Sequence, residues 1–242
     1  MPSGRAEPRG AGGVCSASGI WAVVPAKETS QAKQRLAGLL DPKQREALAA
    51  AMLEDVLHAL AGVPRLAGVA VVTVDPAASA LAARFGARVL DDGARNGHTG
   101  AVTEAARRLA AEGTDTILTL PGDVPLGSAA DVAAVIAAHR PAPAFTIVPA
   151  HDALGSNAVM CSPPGAVPLR FGDDSFFPHL DAARCRGIAP TVVHVPGIAL
   201  DIDNPNDLAV FCAASSGRRT RTYGFLENAG LLQRLQAPEA RA

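Results

Sequence analysis

From residue 20 to residue 195, short apolar runs alternate with stretches that carry apolar residues at helical spacing, and few folds accommodate that alternation. Residues 20–24 form an apolar run. Residues 42–61 place Leu48, Met52, Val56 and Leu60 on one helical face, and residues 69–74 are again rich in β-branched side chains. The spacing predicts a helix over 77–85, a strand over 88–90, a helix over 100–112 and a strand over 115–120. A helix over 128–139, strands over 145–148 and 158–161, a helix over 175–186 and a strand over 191–195 continue the series. Nearly continuous apolar strands separated by helices imply an α/β fold, in which a mainly parallel sheet is covered by helices on both faces.

The 242 residues are 48% hydrophobic, enough apolar material for one domain with a sizeable core. Residues 1–18, rich in Gly, Ala, Ser and Pro, read as a flexible N-terminal tail ahead of a domain over 19–214. Residues 215–242 open with Arg218, Arg219 and Arg221 and read as a C-terminal tail; helical spacing over 225–235 leaves a docked helix open. Lys plus Arg total 22 against 23 Asp plus Glu, so no overall field draws the chain to nucleic acid or an anionic membrane. An anionic ligand must be held locally. Cys15, Cys161, Cys185 and Cys212 are scattered without metal-ligand spacing, so reduced thiols in a cytoplasmic protein are expected. No stretch reaches the length of a membrane span.

The segment Leu120-Pro-Gly-Asp-Val-Pro-Leu126 follows the apolar run 115–120 and places Asp123 where a buried strand ends. In open α/β sheets ligands bind beyond the carboxyl ends of the strands, and a carboxylate there suits a magnesium-bound phosphate. A helix N-cap is the competing reading. The first strand runs into residues 25–36, where Lys27, Lys33 and Arg35 could neutralise a polyphosphate, or could simply be a solvated basic loop. Residues 200–208 supply Asp201 and Asp203, two apart and hence on one side of an extended chain, which with Asp123 could complete a magnesium site. Asn204 before Pro205 reads as an N-cap.

In residues 155–176, Ser156, Gly172 and Ser175 could present hydroxyl and backbone donors to a phosphate or carboxylate, with Ser175 opening a helix. Ser175 could equally serve only as that helix's cap. The glycines of residues 10–13 precede the first strand, so they are not a dinucleotide fingerprint, and no P-loop occurs. His98, His151, His179 and His194 lack ligand spacing and read as packing or surface histidines.

These constellations, in this order over residues 20–213, resemble the guanylyltransferase family that activates a small phosphorylated acid in biosynthesis of the deazaflavin coenzyme F-420. The carriers are residues 21–36, residues 120–126, the Gly155-Ser-Asn-Ala-Val159 segment with residues 170–179, and residues 201–208. The resemblance implies a GT-A-like nucleotidyltransferase that uses GTP and Mg²⁺ to attach GMP to 2-phospholactate, phosphoenolpyruvate or 3-phosphoglycerate, releasing pyrophosphate. It would put Lys27, Lys33 and Arg35 at the nucleotide phosphates, Asp123, Asp201 and Asp203 at the metal, and Ser156, Gly172 and Ser175 at the acceptor acid. Nucleic-acid and membrane partners are not expected, and a homodimer is left open. Residues 96–102 depart from the family's usual Gly-Leu-Asn segment, which bears on guanine selection, and Ser156 stands where Thr is usual. The alternatives are a nucleotidyltransferase for a sugar phosphate or a molybdopterin-type cofactor, and a nucleotide-binding protein without turnover.

Overall fold

The computed structural model describes residues 19–28, 32–172 and 174–236; the expected N-terminal tail, with Cys15, lies outside them. Seven strands form one sheet: β1 (Ile20–Pro25), β2 (Leu66–Val72), β3 (Arg88–Leu90), β4 (Thr116–Thr119), β5 (Ala144–Pro149), β6 (Ser156–Ser162) and β7 (Thr191–Val192). Their order is β3-β2-β1-β4-β6-β5-β7. β1 runs parallel to both β2 and β4, whereas β6 runs antiparallel to both its neighbours, β4 and β5. The sheet is therefore parallel except for one strand, which the short loop after β5 folds back beside it.

Helices cover both faces because adjacent strand residues point to opposite sides. Ala22 and Val24 pack in one cluster with Leu53, Val56, Leu57 and Leu60 of α1 (Pro42–Ala61), Ala78 and Leu81 of α2 (Pro76–Arg84), and Val132 and Val135 of α4 (Ala129–Ala138). Val23, between them in sequence, packs on the other face with Val102, Ala105 and Leu109 of α3 (Gly97–Ala111) and Leu180 and Ala183 of α5 (Phe176–Cys185). Local sequence accounts for the helix ends. Asp41 before Pro42 forms a reciprocal capping box with Gln44 at the start of α1, and Asp75 before Pro76 accepts N–H bonds from Ala77 and Ala78.

Two local expectations need correction. The strand read over 191–195 is paired only at Thr191 and Val192, because it lies at the sheet edge and Pro196 opens a one-turn helix, α6 (Pro196–Ala199). Asp201 and Asp203 therefore leave a helix rather than a strand. α3 begins at Gly97 instead of residue 100, which carries His98 and Thr99 into its first turn.

Residues 215–236 form a 3-10 turn and two helices, α8 (Arg221–Asn228) and α9 (Leu231–Gln236). They follow α7 (Pro205–Ala213) and build a third core with Leu36, Leu40, Leu48, Met52, Leu200, Ile202, Leu208 and Phe211; Leu226 and Leu231 are completely buried in it. Leu36 ends the basic loop, Leu40 lies between it and α1, and Leu200 and Ile202 flank Asp201. The C-terminal helices thus back both segments.

Candidate active site

A cleft of about 880 Å³ opens at the carboxyl ends of β1 and β4, and all nine residues singled out in the sequence line it. Asp123 lies beyond β4, its carbonyl accepting a bond from the Ile202 N–H at 3.1 Å, which joins the β4 loop to the Asp201–Asp203 segment. It caps no helix: Ser128 caps α4, in a capping box with Asp131. Asn204 does cap α7, accepting from the N–H groups of Asn206 and Asp207.

The three cations of the first loop are not equivalent. Lys33 takes the left-handed conformation (φ 54°, ψ 41°), which costs a non-glycine residue roughly 1–2 kcal/mol. The conformation turns its side chain inward, where it is only 8% exposed. Its ammonium lies 2.6 Å from Asp123 Oδ2 and 2.8 Å from Asp203 Oδ1. Burial opposes that charge, but the two carboxylates outweigh burial and raise the Lys33 pKa above its ordinary value. In return, Lys33, Arg35 and Lys27 hold the Asp203 pKa low against burial. Arg35 reaches Asp203 Oδ2 at 3.9 Å from a largely exposed position, and Lys27 is exposed at the cleft mouth. Lys33, read in the sequence as one of three cations facing the nucleotide phosphates, is engaged here with two aspartates, at separations of 90 and 170 residues.

Asp201 is oriented from a different element. The Asn157 amide nitrogen, near the start of β6, lies 3.0 Å from Asp201 Oδ1, 3.0 Å from the Ile198 carbonyl and 2.9 Å from the Ala199 carbonyl. Burial raises the Asp201 pKa despite the Asn157 bond, and the charges of Asp123 and Asp203 add to the rise. Three carboxylates that feel one another form a hard-oxygen donor set of the kind magnesium takes. In this geometry a lysine ammonium already bridges two of them. Among the described residues no three His, Cys, Asp or Glu side chains stand grouped around a single metal position.

At the cleft's other wall, Ser175 precedes α5, yet its hydroxyl makes no capping bond. It turns to Ser156 Oγ, 3.2 Å away, and is 2% exposed. The backbone donors expected at this helix start are partly committed: Ser175 N–H bonds to the Gly172 carbonyl at 3.2 Å and Phe176 N–H to the Leu154 carbonyl at 2.8 Å. Pro178 has no N–H to offer. The hydroxyls, rather than the helix terminus, carry the donor capacity here. A Cβ added at Gly172 would meet open space, the cleft itself.

Residues 20–238 match the family described as Guanylyl transferase CofC like. The chain belongs to this family. It is 42% identical over 190 residues to phosphoenolpyruvate guanylyltransferase of Rubrobacter xylanophilus, a match covering 78% of this chain and 92% of the relative. It is 34% identical to 3-phospho-D-glycerate guanylyltransferase of Colwellia psychrerythraea, covering 80% of this chain and 91% of the relative. It is 33% identical to 2-phospho-L-lactate guanylyltransferase of Methanothermobacter thermautotrophicus, covering 84% of this chain and 88% of the relative. Among solved structures, a nucleotidyl transferase from Methanothermobacter superposes with a TM-score of 0.60 at 20% identity, covering 87% of this chain and 99% of the other. The fold is that of the nucleotidyltransferases.

Three residues that line this CofC-like cleft and one buried behind it were given no site role in the reading of the sequence. Asn157 orients Asp201. Thr99 Oγ1 accepts the Phe171 N–H at 2.9 Å, tying the first turn of α3 to the segment before α5. His98 stacks on Phe171 with ring centroids 4.2 Å apart, and burial, with Lys27 adding to it and Asp123 opposing, lowers its pKa to about 4. His179 is 1% exposed and bonded at both ring nitrogens. For His179 a signal existed: it stands four residues after Ser175, on the same face of α5.

Proposed function

We propose that this protein transfers GMP from GTP to the phosphate of a three-carbon phosphorylated acid, releasing pyrophosphate, as the family resemblance implies for coenzyme F-420 biosynthesis. One observation carries the reading: a basic loop and a pair of buried hydroxyls flank the same three carboxylates in one cleft. Phosphoenolpyruvate, the acceptor named for the relative with 42% identity, is the first choice.

The reaction needs no protein nucleophile. An acceptor phosphate oxygen, already anionic at neutral pH, attacks the α-phosphorus of GTP. As that P–O bond forms, the bond from the α-phosphorus to the bridging oxygen breaks, and pyrophosphate takes the electron pair. Alignment and charge neutralisation dominate such a step. Lys27 and Arg35 would face the triphosphate, and Ser156, Gly172 and Ser175 would line the acceptor's place. Asp123, Asp201 and Asp203 would be the carboxylates offered to Mg²⁺, which when bound supplies positive charge to the phosphates; the Lys33 ammonium now between Asp123 and Asp203 would have to give way to it. Lys33 keeps Asp123 and Asp203 charged and close together.

A pyrophosphate-release panel tests the reading. GTP, ATP and CTP are each paired with phosphoenolpyruvate, 3-phosphoglycerate and 2-phospholactate, with and without magnesium. The expected result is magnesium-dependent release with GTP and one of the three acids. Release only with ATP or CTP, or none with any pair, would overturn it.

A further inference from the structure

Two hydroxyls at the cleft wall and one imidazole behind them sit buried together, and their hydrogen bonds fix where the ring's proton lies. The Arg170 backbone N–H points at His179 Nε2 from 2.9 Å, and a backbone N–H can only donate. Nε2 is therefore the acceptor. Burial, reinforced by the charges of His98 and Arg170, lowers the ring's pKa to about 4, consistent with a neutral imidazole whose one proton is on Nδ1. Nδ1 lies 3.0 Å from Ser156 Oγ, so the ring donates and the serine accepts.

Ser156 Oγ also lies 3.2 Å from Ser175 Oγ. The two hydroxyls own two protons between them. One is used in their mutual bond, and the ring consumes neither because it donates. One hydroxyl proton is left over, and both serines line the cleft. With the opposite tautomer, Ser156 would donate to Nδ1, Ser175 would donate to Ser156, and no proton would remain for a ligand.

We infer that His179 is a positioning residue: held in its Nδ1–H tautomer by the Arg170 backbone, it forces the Ser156–Ser175 pair to act as a hydrogen-bond donor toward an anionic oxygen of the bound acid. This rests on the acceptor-pocket reading given above. It also gives Arg170 a role its exposed side chain does not suggest, since the backbone N–H makes the contact.

Nitrogen NMR of the full-length protein labelled at histidine tests the tautomer directly. The His179 ring, assigned by its loss in His179→Phe, should show a protonated Nδ1 and an unprotonated Nε2 at neutral pH. An Nε2–H tautomer or an imidazolium overturns the proposal. Kinetics test the consequence. His179→Phe, which lacks the donor, should raise the acceptor KM about tenfold with GTP KM nearly unchanged, and His179→Asn, which can return an N–H to the Nδ1 position, should restore most of the loss. In a Ser156→Ala background His179→Phe should no longer move the acceptor KM, whereas a purely structural role would lower thermal stability and activity equally in both backgrounds. If Ser156→Ala alone leaves the acceptor KM unchanged, the pocket reading falls and the inference with it. If Ser156→Ala raises that KM but His179→Phe does not, the pocket stands and His179 has no part in it.

Discussion

Asp123 shows how much one side chain is asked to do. Its carboxylate pairs with the buried Lys33 ammonium at 2.6 Å, and its carbonyl anchors Ile202 beside the other two aspartates. Asp123→Asn keeps the shape and the backbone bond but removes one charge from the set. Turnover is expected to fall on the order of a thousandfold, the scale of losing a metal carboxylate in a phosphoryl-type transfer, with far-ultraviolet circular dichroism unchanged. A near-normal rate at saturating magnesium would refute the role. Lys27 and Arg35 make a separate prediction, because both are mostly exposed at the cleft while the Lys33 side chain is buried. Lys27→Ala and Arg35→Ala should raise the KM for GTP, whereas Gly172→Val, which projects into the cleft, should raise that for the acid. The reverse pattern, read by titrating each substrate in turn, would turn the proposed orientation around.

At the level of elements, the C-terminal helices matter more to the cleft than their place at the end of the chain suggests. Asp55 of α1 accepts the Arg221 N–H at 2.8 Å, the Thr222 N–H at 2.9 Å and the Thr222 hydroxyl at 2.7 Å, satisfying first-turn donors of α8 with a negative charge. Asp55→Ala would strand buried donors, and a loss of about 3 kcal/mol is expected from denaturant unfolding. Because α8 and α9 cover Leu36, Leu40 and Ile202, the variant should also lose activity at temperatures where the sheet remains folded. Full activity up to global unfolding would show that the helices do not brace the loops. Inside the sheet, a Cβ at Gly68 of β2 would come within 2.6 Å of the Trp21 ring on β1, so any larger residue there would force that ring to move.

For the whole molecule, two histidines, His98 in the cleft and His179 buried behind it, link stability to pH. Burial is the chief cause of both shifts, and His98 and His179 have pKa values near 4 in the folded chain against about 6.5 unfolded. Between those values the unfolded chain binds protons that the folded one refuses, so stability falls as pH drops from about 6.5 to 4. The full effect is on the order of 3 kcal/mol per ring, reduced for His98 by its partial exposure. Asp201, whose folded pKa is raised, works in the opposite direction. Calorimetry should show Tm declining across this window, and His98→Phe, which keeps a ring against Phe171, should flatten the decline. An unchanged slope in that variant would mean the His98 ring is already protonated when folded.

The alternation of strands and helices was legible in the sequence because it arises from local causes. A β-branched run favours a pleated strand, Asp before Pro starts a helix, and helical spacing marks the buried face, as at Pro42–Ala61 and Arg88–Leu90, where expectation and structure coincide. Asp123 and the basic loop were readable as residue types after strands, whereas Asp201 and Asp203 turned out to follow the one-turn helix α6. What no local pattern carries is the partnering of distant segments. The antiparallel pairing of β6 with β4, the Lys33 bridge to Asp123 and Asp203, and the Asn157 hold on Asp201 all join residues at least 40 positions apart. Such contacts form only once the sheet has closed and excluded water, which makes an unpaired buried charge costly and a bridging one stable. His179, a bland packing residue in the sequence, shows the same dependence at short range: its tautomer is set by the Arg170 N–H nine positions away, which the fold turns onto the ring.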